Sequence, residues 1–247
     1  MKYTAVNTKI NAMRANLLKI HDYEALYNGS SGLPDFQSRT AGSLQDDLHK
    51  ILPYIYEKPT RDFVKCMVHH LDFLNATGRA PAKHDAPNIF WAYALWQRLG
   101  LLDKSSREAM RRVLGTEIDM RNILWIYRLK RYHKIEGTAV ISFLVPVCHR
   151  LSPDDTNYLA ATKNLTEFLE AAEHGPYGKI FRNAETFHLG ERTLSHALCG
   201  YFKRERDNLT NLCAYLYERH LEIKNIYAIT AAKTHGIPPE EILSRLL

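Results

Sequence analysis

One short helical pattern occurs three times in this chain: an apolar residue, an acid, an apolar residue, one variable residue, then Asn. The copies are His70-Leu71-Asp72-Phe73-Leu74-Asn75, Glu117-Ile118-Asp119-Met120-Arg121-Asn122-Ile123-Leu124-Trp125-Ile126 and His220-Leu221-Glu222-Ile223-Lys224-Asn225-Ile226-Tyr227-Ala228-Ile229. A repeat of this kind constrains the fold strongly, because each copy must find a similar setting. On a helix the acid and the Asn, three positions apart, share one face. The apolar neighbours bury that face. A carboxylate there needs donors, and the Asn amide or nearby backbone N–H groups can supply them. The pattern therefore predicts polar pins that fix how helices pack. Catalysis by paired carboxylates is the weaker reading, since Asp72, Asp119 and Glu222 belong to separate helices. Asp72 and Asp119 are 47 positions apart, whereas Asp119 and Glu222 are 103 apart. The first interval is short, as if part of a module were missing.

The rest of the chain also carries helical spacing. Val6, Ile10, Met13 and Leu17 form one stripe over Tyr3 to Lys19. A loop is expected at Asn28-Gly29-Ser30-Ser31-Gly32-Leu33-Pro34. Helices are expected over Ser43–Tyr56 and, after Pro59, over Asp62–Ala76. Gly78 to Lys83 reads as a break. A further helix opens at Asp85 and Pro87, carries Ile89, Tyr93 and Trp96 on one face, and ends at Gly100. Ser105 and Glu108 look like a capping box for a helix running to about Lys134, with Gly115 a possible interruption. From Ile118 to Leu129 that helix is apolar nearly all round, so it is expected to be central and buried. Gly137 to Val145 is β-branched but lacks a strand partner, which favours a short helix stopped by Pro146. Ser152 and Pro153 open another helix, and His174 to Gly178 is a turn. The last long helix starts at Arg192 or Arg206 and runs to Thr234. Gly236 caps it, and Pro238-Pro239-Glu240-Glu241 opens a short terminal helix. No strand pair, hairpin turn or βαβ rhythm is evident. The expected fold is all-α, one compact array over residues 1–247 with approximate modules 1–80, 81–150 and 151–247.

Composition narrows the function classes. Lys plus Arg outnumber Asp plus Glu by 33 to 27, a formal charge of +6. The excess is mild and spread out, unlike the dense stripe of a dedicated nucleic-acid binder. Met1 to Asn7 has no apolar h-region, so no signal peptide is expected. The longest apolar run, Ala139 to Val147, is far too short to span a bilayer. Cys66, Cys148, Cys199 and Cys213 include no CxxC, which suits buried thiols in a reducing compartment.

Three stretches together resemble a known family. Gly115-Thr116-Glu117-Ile118-Asp119-Met120-Arg121-Asn122-Ile123-Leu124-Trp125-Ile126-Tyr127-Arg128 resembles part of the V-type ATPase subunit called C in bacteria and archaea and d in eukaryotes. Glu222-Ile223-Lys224-Asn225-Ile226, followed by Gly236-Ile237-Pro238-Pro239-Glu240-Glu241-Ile242, looks like the closing signature of that family. Tyr3-Thr4-Ala5-Val6-Asn7-Thr8-Lys9-Ile10-Asn11-Ala12-Met13-Arg14 is similar to its first helix. The resemblance implies three pseudo-symmetric helical modules forming a funnel. It implies a place on the cytoplasmic face of the membrane, against the proteolipid ring of the membrane sector. The funnel would receive the central-stalk rotor subunits, serving proton or sodium transport and ATP synthesis. It implies no catalytic, cofactor or metal site, no nucleic-acid partner and no small-molecule ligand. Family members are typically longer, and the short interval places the difference between the first two modules.

Other constellations carry less. Cys66 and His70 sit one turn apart beside His69, but no second pair has zinc spacing. Cys148 and His149 are adjacent, and adjacent helical residues point apart. There is no GxxxxGK[ST] and no GxGxxG. Arg128, Lys130, Arg131, His133 and Lys134 interleave with Tyr127 and Tyr132; Lys203, Arg204 and Arg206 lie beside Tyr201 and Phe202. A solvated helix end is the plain reading of such clusters; contact with an acidic partner or lipid headgroups is the next. The rival to a coupling subunit is a helical-repeat adaptor for another acidic partner or RNA. Trp125, Ile126, Ile226 and Ile229 are expected in the core.

Overall fold

The computed structural model describes residues 2–29, 43–77, 86–135, 137–204 and 209–246. Among them the fold is all-α, with no strand. The chain divides into two compact units. One gathers Met1–Pro81 with Arg206–Leu247, and the other is the uninterrupted middle, Ala82–Glu205.

The first unit is built on α12 (Leu209–Thr234), which packs against α1 (Thr4–Arg14), α2 (Ile20–Asn28), α3 (Leu44–Ile51), α4 (Lys58–Thr77) and α13 (Pro239–Leu243). From Leu209 to Tyr217 every residue of α12 is buried. A helix hidden all round needs neighbours on every side, and both ends of the chain supply them. Tyr23, Leu26 and Ile229 form one core cluster, with Tyr27, Ile226 and Leu243 against it. The helix expected over Tyr3–Lys19 is shorter, and the rest of that stretch is the turn leading to α2. Val6 and Ile10 are buried, but α1 ends at Arg14, because the Leu18 N–H is taken by Glu222 Oε1 at 2.7 Å and the Lys19 N–H by Asp22 Oδ2 at 2.8 Å. Those bonds turn the chain into α2. Likewise α4 begins at Lys58, earlier than Asp62. Pro59 falls in its first turn, where a missing N–H costs nothing. Gly236 ends α12 as expected: φ is +66°, its N–H reaches Lys233 O, and the Ile237 N–H reaches Ala232 O. That pair of bonds is a Schellman cap.

The second unit is built on α6 (Lys104–Arg128). Around it lie α5 (Ala86–Arg98), α8 (Pro153–Ala161), α9 (Leu165–His174) and α11 (Gly190–Arg204), with α7 (Thr138–Ile141) and α10 (Ala184–His188) in the connections. The N-cap of α6 is Asp103, not Ser105: its Oδ1 accepts from the Ser106 N–H at 3.0 Å, leaving Ser105 inside the first turn. Gly115 does not interrupt the helix. Burial, expected from Ile118 to Leu129, is unbroken from Val113 to Leu124, and within the expected stretch Trp125 and Arg128 are half-buried. Ile126 and Ile229 are core, whereas Trp125 and Ile226 are half-buried. A π-turn, Leu129–His133, extends α6. Gly137 to Val145 is not a strand; α7 ends at Ile141, ahead of Pro146. Of the two starts expected for the last long helix, the structure favours the later: α12 runs Leu209–Thr234, and α11 is a separate helix. The expected loop over 30–34, the break at 78–83, Asp85 and Arg206 lie outside the described residues, as do the side chains of Lys203 and Arg204.

Candidate functional site: the acid–asparagine pins

The middle copy of the motif is the most complete. Asp119, buried on α6, accepts the N–H groups of His149, Arg150 and Leu151 at 3.2, 2.7 and 2.9 Å. The Tyr177 hydroxyl donates to the same carboxylate at 2.8 Å. Asn122, one turn on, bonds Val145 in both directions: its Nδ2 donates to the carbonyl and its Oδ1 accepts from the N–H, each at 3.0 Å. One helical face therefore grips the 145–151 segment at five backbone groups, just ahead of Ser152, the N-cap of α8. Burial and the Asp119 charge hold the Tyr177 phenol well above its ordinary value, so it stays a donor.

Close approach makes the grip possible. A Cβ on Gly115 would lie 2.4 Å from Cγ and 2.7 Å from Cβ of His149. Beside this, Glu117 and Arg121 form a buried pair at 2.9 Å, and Arg121 reaches Glu191 of α11 at 3.3 Å. Cys148 is exposed, and partial desolvation with the nearby Asp119 charge pushes the thiol up. His149 is pushed down by burial. Both shifts run against a thiolate–imidazolium pair.

The C-terminal copy repeats the theme. Glu222 holds the Leu18 N–H just before α2, and Asn225 hydrogen-bonds Tyr23 on that helix. Glu222 also pairs with Arg219, whose Nε lies 3.4 Å from Asp47 Oδ2. Tyr215 donates to Asp47 at 2.8 Å, and Lys50 reaches its other oxygen at 3.2 Å. Next to this network is a cleft of about 540 Å³ whose lining includes Leu18, Asp22, Asp47, Lys50, Arg219 and Glu222. Arg14 ties α1 to α12 through Glu218 at 2.6 Å and Asn211 at 2.8 Å. Asp72, in the first copy, is half-buried and accepts from Gln45 Nε2 at 2.8 Å. Burial raises its pKa. Asn75 Oδ1 has no hydrogen-bond partner among the described residues.

The expectation that the acids are held by local donors is met in the second and third copies. The donors differ from one expectation: Asn122 serves the backbone, not Asp119. Sequence reasoning missed Asp47, Tyr177, Tyr215 and Arg219. Asp47 did carry a signal, since it interrupts the buried stripe Leu44, Leu48, Ile51 of α3. The tyrosines carried none. Cys66 and His70 are both buried, and among the described residues no group of three or more His, Cys, Asp or Glu side chains is placed to hold a metal.

Together these features define an all-helical scaffold whose buried acids hold backbone segments against central helices. A family model described as ATP synthase (C/AC39) subunit matches residues 89–245, nearly two thirds of the chain, and the protein belongs to that family. The match takes in the motif copies at Asp119 and Glu222, which carried the resemblance in sequence. Comparison with curated proteins gave no match.

Proposed function

We propose that the chain is a non-catalytic central-stalk coupling subunit of a rotary V-type ATPase or ATP synthase. It would link the rotor shaft to the membrane proteolipid ring for proton or sodium transport, as a peripheral subunit on the cytoplasmic face. Family membership over residues 89–245 carries the reading. The pins support it physically: a torque coupler must resist twisting, and a carboxylate engaged by three backbone N–H groups and a phenol fixes a connection that loops alone would leave soft. No described helix is long and apolar enough to cross a membrane, in keeping with a peripheral place. The three motif copies are read as marking modules 1–80, 81–150 and 151–247. In support, Asp119 and Glu222 each catch the backbone just ahead of a helix.

The test is purification of the tagged full chain from its native membrane. Proteolipid ring and central-stalk subunits are expected to come with it. Recovery of the chain free of both overturns the proposal.

A further inference from the structure

The end of α6 carries a cationic, aromatic knob that the pins do not use. Lys130 is spent internally: its Nζ donates to the carbonyls of Ala160 and Thr162 at 2.8 and 2.7 Å, closing the C-terminal end of α8. Arg128 lies against Gly190. Arg131, Tyr132, His133 and Lys134 are all exposed. Tyr132 is 61% exposed, with the Arg131 guanidinium 5.7 Å from its ring centroid and 6.0 Å from that of Tyr127. The π-turn and the left-handed Lys134, φ +53°, bring the helix to an abrupt end there. Lys163, also exposed, follows directly on the Thr162 carbonyl that Lys130 holds. Among the described residues no carboxylate pairs with Arg131 or Lys134.

We propose that Arg131, Tyr132, His133 and Lys134 form a docking surface for the anionic headgroups of a membrane. Charge complementarity argues for it, since each Lys or Arg near an anionic leaflet adds attraction within a Debye length. The exposed phenol decides between partners. Tyrosine rings suit the headgroup level, with the body of the ring in the apolar boundary and the hydroxyl in water. A nucleic-acid surface would instead show a basic stripe continued along an element. This inference rests on the peripheral-membrane reading above and adds to it a lipid contact made by this chain itself.

The test is flotation of the purified full chain with vesicles of phosphatidylcholine alone or with a minority of phosphatidylglycerol. Binding is expected only to the anionic vesicles and should fade between about 0.1 M and about 0.5 M salt. Arg131→Glu with Lys134→Glu should cut the bound fraction roughly tenfold or more. Tyr132→Ala should cut it less. Lys65→Glu with Lys104→Glu, a charge-matched control on two other exposed sites, should bind as the wild type does. Circular dichroism confirms that each variant is folded. Equal binding to neutral vesicles, unchanged binding by the Arg131/Lys134 variant, or displacement by RNA at matched charge each overturns the proposal. Co-purification separates this failure from that of the coupling function. A variant that loses vesicles but keeps the ring isolates the lipid contact; a wild type that binds vesicles without the ring sinks the coupling reading alone.

Discussion

Asp119 shows what one residue contributes when its environment is complete. Four donors converge on its two oxygens, three of them backbone N–H groups. Asp119→Asn puts an amide N–H against one of those donors and removes the charge that strengthens the rest. It should cost about 2 to 4 kcal/mol, read by urea unfolding; a loss under about 0.5 kcal/mol would show that the pin is ornamental. The tyrosines give a second, independent reading. Burial lifts Tyr177 and Tyr215 well above the ordinary phenol value of about 10, and Tyr23 to about 12. A raised folded pKa means stability is intact below pH 10 and drains away above it, as the unfolded phenols ionise first. Stability should therefore fall from about pH 10 upward, to about pH 12 for Tyr23, by up to about 1.4 kcal/mol per pH unit for each tyrosine. In Tyr177→Phe that alkaline slope should be shallower by one tyrosine's share. An unchanged slope rules out Tyr177 as a source.

Among the elements, the contact between α6 and the 145–151 segment couples helix propensity to tertiary packing. Gly115→Ala would favour an isolated helix by about 1 kcal/mol. Here the new methyl meets the Cβ and ring of His149, and the segment cannot retreat while Asp119 holds its N–H groups. Net destabilisation of about 1 to 3 kcal/mol is expected. His149→Gly should recover most of it, so a double-mutant cycle should show coupling; additive losses would mean the clash is not the cause. This contact also marks the limit of what the sequence disclosed. Periodicity located α6 and its buried stretch, and the acid–Asn spacing identified the pins. Both are local signals. Gly115 looked like a weak point because its role belongs to a residue 34 positions away. Asp103 outcompeted Ser105 as a cap, and α1 ended early because Glu222 reached in from the far end of the chain. The Gly115 and α1 misses are tertiary contacts overriding a local preference, whereas the cap is one local bond winning over another.

At the scale of the whole chain, the two central helices find their partners in opposite order. Asp119 and Asn122 hold a segment that follows them, whereas Glu222 and Asn225 hold one some 200 positions before them. The first unit is thus closed by its two chain ends, and its loop-closure entropy must be offset by the contacts that join them. Arg219 is central to that closure. Its guanidinium bridges Asp47 and Glu222, and Glu222 in turn holds Leu18. Arg219→Met keeps much of the apolar stem but leaves two buried carboxylates without their shared cation. Breaking a buried pair in this way costs about 3 to 5 kcal/mol. The loss should not be spread evenly. Hydrogen exchange should accelerate across the 15–19 turn and α2, which Glu222 and Asn225 hold, and across α3, which Asp47 ties to α12, while the amides of α6 and the 145–151 segment keep their protection because their pins lie in the other unit. Uniform acceleration along the chain would show that Arg219 supports general stability and not the joining of the ends. Unchanged exchange over residues 15–28 would show that the turn and α2 are held by their apolar contacts alone.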